Sequence, residues 1–187
     1  MADASSPPLI ILTGPPGAGK TTIAGALARR YDRAVHLHTD DFWHFIVSGG
    51  IAPFEPEAEQ QNHAVLDVIA GAACTYAAGG FTTVVDGIVG PWMLDHFLDQ
   101  ARRHPGLPLH YVVLRPGRET ALRRAQQRTA AAALTDEAPI LSMWDQFADL
   151  GELEAHVLDT SQQDPAATLD RVAAGIENRH FLLRVPV

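Results

Sequence analysis

The stretch Gly14-Pro15-Pro16-Gly17-Ala18-Gly19-Lys20-Thr21 decides the fold, because it fits the phosphate-binding pattern G-x-x-x-x-G-K-[ST]. Residues 9–12 form a short apolar run before it, as a buried parallel strand would. Residues 22–28 after it place their apolar side chains on one helical face. Strand, glycine loop and helix in this order are the context that makes the pattern a site for a nucleoside triphosphate.

The residue types of this loop suit phosphate binding. Gly14, Gly17 and Gly19 allow backbone conformations closed to other residues and let the chain approach an anion without interference from a Cβ. The loop N–H groups and the positive end of the following helix then face the phosphates. Lys20 is expected to reach the β- and γ-phosphates, and the Thr21 hydroxyl is expected to bind Mg²⁺. The predicted nucleotide-binding residues are Gly14, Pro15, Gly17, Ala18, Gly19, Lys20, Thr21 and Thr22.

Composition narrows the class of protein. The chain has 187 residues, of which 47% are hydrophobic, and this suits one domain with a full core. Residues 1–7 lack the basic and apolar parts of a signal peptide, and no apolar run reaches the length of a membrane span. Cys74 is the single cysteine, and we expect it to be a small apolar filler in a helix. These features predict a cytoplasmic protein without a membrane partner.

The charged residues exclude two further classes. A net charge of -8 argues against a nucleic-acid surface, which would need a basic stripe. Lys20 is the only lysine, and all other basic side chains are arginines, a bias that a GC-rich genome would explain. A compact ammonium still suits the phosphate loop better than a planar guanidinium. Without a second lysine, the chain has no Asn-Lys-x-Asp motif and is not expected to be a GTPase.

Short apolar runs alternate with helical patterns along the chain. This alternation is typical of a parallel sheet with helices on both faces, and no repeat or internal linker interrupts it. We therefore predict a single α/β domain over residues 1–187. The predicted strands are residues 9–12, 34–39, 81–87, 109–114 and about 156–159. The predicted helices are residues 20–31, 42–47, 57–78, 91–104, 118–127, 140–150 and 165–176.

Aspartates follow two of the predicted strands, at the edge where open α/β sheets bind their ligands. Asp40 and Asp41 come after the second strand, and a carboxylate there can accept the proton of an attacking hydroxyl or help to hold Mg²⁺. A helix N-cap is the alternative role for this pair. Asp86 ends the third strand, where a Walker B aspartate would lie, and a turn with Gly87 is its alternative. We predict Thr21 and Asp86 as the Mg²⁺ ligands.

Arginines cluster after the fourth strand. Arg124 and Arg128 are four residues apart and are predicted to share a helix face. Two guanidinium groups there can neutralise charge on the transferring phosphoryl group, whereas a solvated basic face is the alternative. The weakly patterned residues 129–138 suggest a mobile lid just after them.

Together these motifs resemble the small P-loop kinases of the nucleoside-monophosphate-kinase-like group, which includes shikimate and gluconate kinases. Within the group the chain looks most similar to the chloramphenicol phosphotransferase-like and zeta-toxin-like ATP-dependent enzymes. The resemblance spans residues 9–176. It implies a three-layer P-loop NTPase fold with a five-stranded parallel sheet in the order 2-3-1-4-5, and a small lid at about residues 128–145. It also implies ATP and Mg²⁺ as cofactors and an adenine loop at residues 160–164.

The same resemblance implies the catalytic roles. Asp40 is the catalytic aspartate by position, with Asp41 as the second choice, and Lys20 holds the β- and γ-phosphates. Arg124 and Arg128 are the lid arginines that close over the γ-phosphate.

The expected acceptor side of the chain is poor in cations. No lysine or arginine lies between Arg33 and Arg102, although residues 40–60 and 87–97 should line the acceptor pocket. An anionic acceptor is therefore disfavoured unless the lid arginines reach it. Aromatic residues there favour a neutral or cationic hydroxyl compound with an apolar or sugar face, although we expect at least half of them to be core. They are Phe42, Trp43, Phe45, Phe54 and Trp92.

Three functions are compatible with this sequence. The leading hypothesis is an ATP-dependent phosphotransferase acting on a hydroxyl of a small antibiotic-, nucleoside- or sugar-like molecule. A regulatory P-loop module without an acceptor and a toxin-type kinase of nucleotide sugars are the alternatives. We expect a monomer or a homodimer. Residues 179–184 are apolar for a terminal segment and could dock on the domain or form a dimer contact. The histidines at 36, 38, 44 and 63 lack zinc-site spacing, and we interpret them as packing or polar pocket residues.

Overall fold

A five-stranded parallel sheet forms the centre of the computed structural model, which describes residues 6–129 and 134–185. Its strands lie in the order β2-β3-β1-β4-β5, so both the predicted α/β class and the predicted strand order are confirmed. The strands are β1 (Leu9–Thr13), β2 (Ala34–His38), β3 (Thr82–Asp86), β4 (Leu109–Leu114) and β5 (Val157–Leu158).

The central strand β1 is buried on both faces of the sheet. Leu9 and Ile11 belong to one core cluster, while Ile10 and Leu12 belong to the other. A strand that is covered on both faces has no solvent side, which is why this segment is apolar at every position rather than at alternate ones. Leu12 pairs with Asp86 across the sheet, so the end of β3 lies beside the start of the glycine loop.

Helices cover both faces of the sheet. The first core cluster lies beneath α3 and α4, and the second lies beneath α1 and α7. No helix within residues 6–129 and 134–185 is long and apolar enough to cross a membrane. The helices are α1 (Lys20–Ala28), α2 (Thr39–His44), α3 (Glu59–Ala78), α4 (Leu94–Arg102), α5 (Arg118–Gln126), α6 (Glu137–Asp145) and α7 (Pro165–Glu177). Short 3-10 helices occur at Pro56–Ala58, Pro91–Met93 and Gly151–His156.

Two helices begin earlier than the sequence pattern predicts. α2 starts at Thr39 rather than at residue 42, and its first turn contains two aspartates, which the positive end of a helix favours. α6 starts at Glu137 rather than at residue 140, with Pro139 in its first turn. Proline is tolerated there because the first N–H groups of a helix have no intrahelical partner. α6 also ends early, at Asp145, and the chain then turns inward to bury Phe147.

The C-terminal segment docks on the domain. Leu183 N–H donates to the carbonyl of Leu109 at 2.8 Å, and Tyr111 N–H donates to the carbonyl of Phe181 at 2.9 Å. These bonds occupy the first half of β4, whose last two residues pair with β5. Phe181 is fully buried, and its ring lies where a Cβ on Gly175 would be, 2.1 Å from the nearest ring atom. Of the two roles expected for this segment, the structure shows docking.

Phe181→Ala should lower the free energy of unfolding by about 3–5 kcal/mol, since it leaves a cavity beneath α7. Urea unfolding followed by circular dichroism measures this. Arg184→Ala changes an exposed residue of the same segment and should stay within about 0.5 kcal/mol of the wild type. Equal stability of the two variants would show that the segment does not contribute to the core.

His110 should make stability depend on pH. It is 3% exposed, its Nδ1 atom has no partner among the described residues, and burial together with the charges of Arg179 and His156 lowers its pKa from 6.5 to about 4. Between these two values the unfolded chain binds more protons than the folded one, so acid favours unfolding.

The free energy of unfolding should therefore fall as the pH drops from about 6.5 to about 4, by at most roughly 1.4 kcal/mol per pH unit for this group. His110→Leu should remove that part of the slope, while His104→Gln, in the loop before β4, should keep it. Parallel pH profiles for wild type and His110→Leu would contradict the assignment.

Candidate active site

The glycine loop takes the conformation that its sequence predicts. Two of its glycines are needed for close packing within the protein and not only for the approach of a phosphate. Gly14, Gly17 and Gly19 have φ angles of 141°, 80° and 89°, in the region that favours glycine. A Cβ on Gly14 would lie 2.0 Å from the carbonyl oxygen of Leu114, and one on Gly17 would lie 2.1 Å from that of Ala121. Two of the glycines therefore let the loop pack against β4 and α5, whereas a Cβ on Gly19 would meet no protein atom within 4 Å.

Lys20 is held inside this loop. Its Nζ atom donates to the carbonyl oxygens of Gly14 at 2.9 Å and Pro15 at 3.1 Å, and the residue is only 8% exposed. Burial, followed by the charge of Arg128, lowers its pKa from 10.5 to about 8. The ammonium is thus bonded to the carbonyl groups of the first two loop residues, and its contact with phosphates stays a prediction.

Thr21 and Asp86, the two residues predicted to bind Mg²⁺, contact each other. Thr21 Oγ1 donates a 2.7 Å hydrogen bond to Asp86 Oδ2, and Asp86 is fully buried at the end of β3. A hydroxyl and a carboxylate are hard oxygen donors of the kind that Mg²⁺ prefers, so this pair fits the ion. Within the described ranges no group of three or more His, Cys, Asp or Glu side chains is arranged to hold a metal. Phosphate oxygens and water would therefore supply the remaining ligands.

Two histidines also contact Asp86, and the sequence pattern did not reveal these contacts. His36 Nε2 lies 2.5 Å and His38 Nδ1 lies 3.2 Å from Asp86 Oδ1. Burial alone would raise the pKa of Asp86, but the hydrogen bonds from His36 and Thr21 and the nearby histidine charges together lower it. A signal was present, because residues at i and i+2 share one face of a strand, and β2 is the neighbour of β3.

Asp40 and Asp41 both lie in the first turn of α2, at the carboxyl end of β2. The N-cap of this helix is His38, so the capping role expected as an alternative for the aspartates is wrong. The Asp40 carboxylate is 69% exposed, and its Oδ2 lies 3.6 Å from His38 Nε2. Asp40 also acts on Lys20 through its charge, whereas Asp41 is not among the groups that perturb Lys20.

Gly87 brings the start of α2 against the exit of β3. A Cβ on Gly87 would lie 1.8 Å from Thr39 Oγ1 and 2.8 Å from Thr39 Cβ. Its φ is not positive, so the residue is needed for close approach and not for the turn conformation considered above. This contact positions Asp40, the next residue after Thr39, near Asp86.

Gly87→Ala should force α2 away from β3 and lower the free energy of unfolding by about 1–3 kcal/mol, because the added methyl overpacks the site. Gly71→Ala is the matched control, since Gly71 lies within α3 and its added Cβ would meet nothing within 4 Å. The control should stabilise the protein by about 0.5–1 kcal/mol. Urea unfolding of both variants decides the point, and a neutral Gly87→Ala would refute the close contact.

Arg124 and Arg128 do not share a helix face, contrary to the sequence prediction. α5 ends at Gln126, so Arg128 follows the helix. Arg124 Nη2 lies 3.2–3.4 Å from the carbonyl oxygens of residues 160, 161 and 163, in the loop after β5. Arg128 instead acts on Lys20 through its charge. The two guanidinium groups therefore have different surroundings, Arg124 at the loop after β5 and Arg128 within electrostatic reach of Lys20.

The predicted lid at residues 128–145 is described only in part. Residues 130–133 lie outside the described residues. Most of the remainder is α6, which is joined to α5 by the ion pair between Arg118 Nε and Asp145 Oδ1 at 2.9 Å. Trp144 Nε1 also donates to the carbonyl of Pro116 at 2.8 Å. Closure of this segment over a ligand stays a prediction.

A cavity of about 160 Å³ lies between the glycine loop, α5 and the loop after β5. Thr160 is 1% exposed, and its Oγ1 atom has no hydrogen-bond partner among the described residues. A buried hydroxyl without a partner is costly, and such groups are normally paired with a ligand or with ordered water. Residues lining the cavity include the predicted nucleotide-binding residues Ala18, Gly19 and Thr22, and Arg124, Thr160 and Gln163 opposite them.

The aromatic residues of the expected acceptor side divide into two groups. Phe42 and Trp43 pack against the first core cluster. Phe45, Phe54 and Trp92 are 71%, 66% and 47% exposed. The expectation that at least half of the five are core residues is therefore wrong, because three of them remain available to a ligand.

This sheet order, with a glycine loop after β1 and an aspartate at the end of β3, is the P-loop NTPase fold of the small kinases. Residues 9–150 match the AAA_33 family, described as an AAA domain, and the chain belongs to this family. A search of curated proteins finds no match.

Solved structures share the fold over nearly their whole lengths. The sugar kinase from Janibacter sp. HTCC2649 is 19% identical with a TM-score of 0.67, over 91% of this chain and 95% of that one. Shikimate kinase from Acinetobacter baumannii is 21% identical with a TM-score of 0.64, over 94% and 96% of the two chains. A gluconokinase from Sinorhizobium meliloti 1021 is 20% identical with a TM-score of 0.62, over 93% and 98%. The narrower resemblance to chloramphenicol phosphotransferase-like enzymes stays a prediction.

Proposed function

We propose that this protein is an ATP-dependent kinase that transfers the γ-phosphate to a hydroxyl of a small, non-anionic molecule. The observation that carries the proposal is the convergence of Lys20, the Thr21–Asp86 pair and Asp40 at one edge of the sheet. A phosphate-binding cation, a metal-binding oxygen pair and an exposed carboxylate are the parts that phosphoryl transfer to an alcohol requires. The sugar kinase, shikimate kinase and gluconokinase that share the fold support a small-molecule acceptor.

The nucleotide would extend from the glycine loop into the neighbouring cavity. Loop N–H groups and Lys20 hold the phosphates, and the base occupies the cavity beside Thr160. Because Arg124 is bonded to the loop after β5, its position favours a role beside the base. Arg128, whose charge reaches Lys20, is the better candidate for the γ-phosphate.

Mg²⁺ would be held by Thr21 and Asp86, and when bound it neutralises charge on the β- and γ-phosphates. Lys20 adds a second positive charge on the same side of the phosphates. The buried Asp86 stays ionised because its hydrogen bonds lower its pKa, so it can serve as a ligand at neutral pH.

Asp40 would take the proton of the acceptor hydroxyl. As the hydroxyl oxygen forms its bond to the γ-phosphorus, the bond to the β-phosphate oxygen breaks, ADP leaves and the proton passes to the carboxylate. Asp40 is favoured over Asp41 because it contacts His38 and lies within electrostatic reach of Lys20.

The acceptor is proposed to be neutral or cationic, such as an antibiotic-, nucleoside- or sugar-like alcohol. The span between Arg33 and Arg102 contains no lysine or arginine that could pair with an anionic group. Exposed Phe45, Phe54 and Trp92 offer apolar surface on the same side of the sheet, which suits a ring or a sugar face.

Substitutions at the two acidic positions and at Lys20 test the roles. Lys20→Ala should lower ADP release by roughly 100-fold or more, since a charge that stabilises the transition state is lost. Asp40→Ala should lower kcat by about 100-fold with nucleotide affinity retained, because only the base is removed. Asp41→Ala should have the smaller effect. Near-normal turnover of an Asp40→Ala, Asp41→Ala double variant would remove the base from the proposal.

ADP release with ATP and Mg²⁺ across a panel of alcohols tests the reaction class. Aminoglycosides, chloramphenicol, nucleosides, sugar acids and nucleotide sugars make up the panel. Stimulation by a neutral or cationic alcohol is the expected result. Tight ATP binding without stimulation by any member would favour the regulatory module, whereas phosphorylation of a nucleotide sugar with growth arrest on expression would favour the toxin-type kinase.

A further inference from the structure

We infer that His36 and His38 are positioning residues for the proposed phosphotransfer reaction: both hold Asp86, and His38 also joins Asp86 to Asp40. The contact between His38 and Asp40 is the catalytic half of this inference, and it rests on the proposed function. The contacts of both histidines with Asp86 are its metal half, and they concern Mg²⁺ and nucleotide binding alone. Both histidines are on β2, and their rings lie beside the carboxylate at the end of the neighbouring strand.

The two oxygens of Asp86 differ in their shortest contact. Oδ1 lies 2.5 Å from His36 Nε2, Oδ2 accepts from the Thr21 hydroxyl at 2.7 Å, and His38 Nδ1 lies 3.2 and 3.3 Å from Oδ1 and Oδ2. Bonds to Oδ1 fix the plane of the carboxylate and leave Oδ2 directed at Thr21, on the side where Mg²⁺ would bind. Partners that orient a metal ligand in this way typically affect metal affinity by about 10- to 100-fold.

Apart from the Thr21 hydroxyl, the imidazoles are the side chains shown to bond Asp86; Lys20 acts on it only through charge, because its Nζ atom donates to the carbonyls of Gly14 and Pro15. Asp86 is fully buried, and β2 and β3 contain no lysine or arginine. A buried carboxylate that loses a hydrogen bond carries the cost of its desolvation without compensation. The two histidines therefore supply the hydrogen bonds that compensate the burial of Oδ1.

His38 contacts both functional carboxylates. Its Nδ1 lies 3.2 and 3.3 Å from the two oxygens of Asp86, and its Nε2 lies 3.6 Å from Asp40 Oδ2. The Asp40 carboxylate is 69% exposed, and a single turn of a short helix carries it. When both ring nitrogens carry a proton, a ring held at Nδ1 by Asp86 presents its Nε2–H group to the Asp40 carboxylate and favours that side of the site for it.

Asparagine and glutamine substitutions separate these contacts, because each amide N–H₂ replaces one ring nitrogen. The asparagine nitrogen lies near the position of Nδ1, and the glutamine nitrogen near that of Nε2. His36 uses Nε2 toward Asp86, so His36→Gln should retain the bond and His36→Asn should lose it. His38 uses Nδ1, so His38→Asn should retain the bond to Asp86 and His38→Gln should lose it.

The metal half is tested by calorimetric titration of Mg²⁺ into the complex of the protein with a non-hydrolysable ATP analogue, which measures Mg²⁺ affinity. His36→Asn and His38→Gln should weaken Mg²⁺ affinity by roughly 10- to 100-fold, while His36→Gln and His38→Asn stay near wild type. His104→Gln, in the loop before β4, is the control for loss of a histidine. The same affinity for asparagine and glutamine at each position would overturn the role of the histidines toward Asp86.

The catalytic half is tested by measuring kcat for the same variants. His38→Asn should keep Mg²⁺ affinity but lower kcat with the best acceptor by about 10-fold or more, since Asp40 loses its neighbour while the metal ligand does not. An unchanged kcat for His38→Asn would contradict the role of His38 toward Asp40. If no alcohol stimulates ADP release by the wild type, the proposed function and the role of His38 toward Asp40 fail together. The metal half is still decided by the Mg²⁺ affinities, which should fall for His36→Asn and His38→Gln but not for His36→Gln and His38→Asn.

Discussion

The hydrogen bond between Thr21 and the buried Asp86 is the contact on which the rest of the site depends. It forms only because β1 and β3 are neighbours and Leu12 pairs with Asp86, which brings the glycine loop and the strand end together. A fully buried carboxylate requires compensation, and the two histidines of β2 provide it from the other side. The fold thus keeps the pKa of a buried carboxyl low at this edge of the sheet.

Close packing near the Thr21–Asp86 hydrogen bond requires glycine at three positions. Gly14 and Gly17 touch carbonyl groups of Leu114 and Ala121, and Gly87 touches Thr39. Each of these glycines removes a Cβ that would separate the loop, α5 or α2 from the site. The glycines therefore determine how closely the phosphate-binding loop and Asp40 approach Asp86, which is a constraint on geometry as much as on ligand access.

Much of the fold and of the candidate site could be predicted from residue types and their spacing. The loop conformation, the apolar strands and the position of Asp86 follow from residue types and spacing, while the strand order came from the resemblance that those motifs carry. Contacts set by tertiary packing were not predictable. Arg128 lies beyond α5 because the helix ends at Gln126, Arg124 bonds the loop after β5, and the two histidines meet Asp86 through strand register. The i, i+2 spacing of His36 and His38 shows that they share a strand face, but no local pattern encodes which carboxylate they contact or where Arg124 and Arg128 lie.

A crystal structure with Mg²⁺ and a non-hydrolysable ATP analogue tests the central claim most directly. Mg²⁺ should replace the direct bond between Thr21 and Asp86, with the Thr21 hydroxyl oxygen at about 2.1 Å from the ion and Asp86 beside it. The Asp40 carboxylate should face the γ-phosphate with His38 still between it and Asp86. A nucleotide bound outside the loop, or a metal bound without Thr21 and Asp86, would contradict this account of the site.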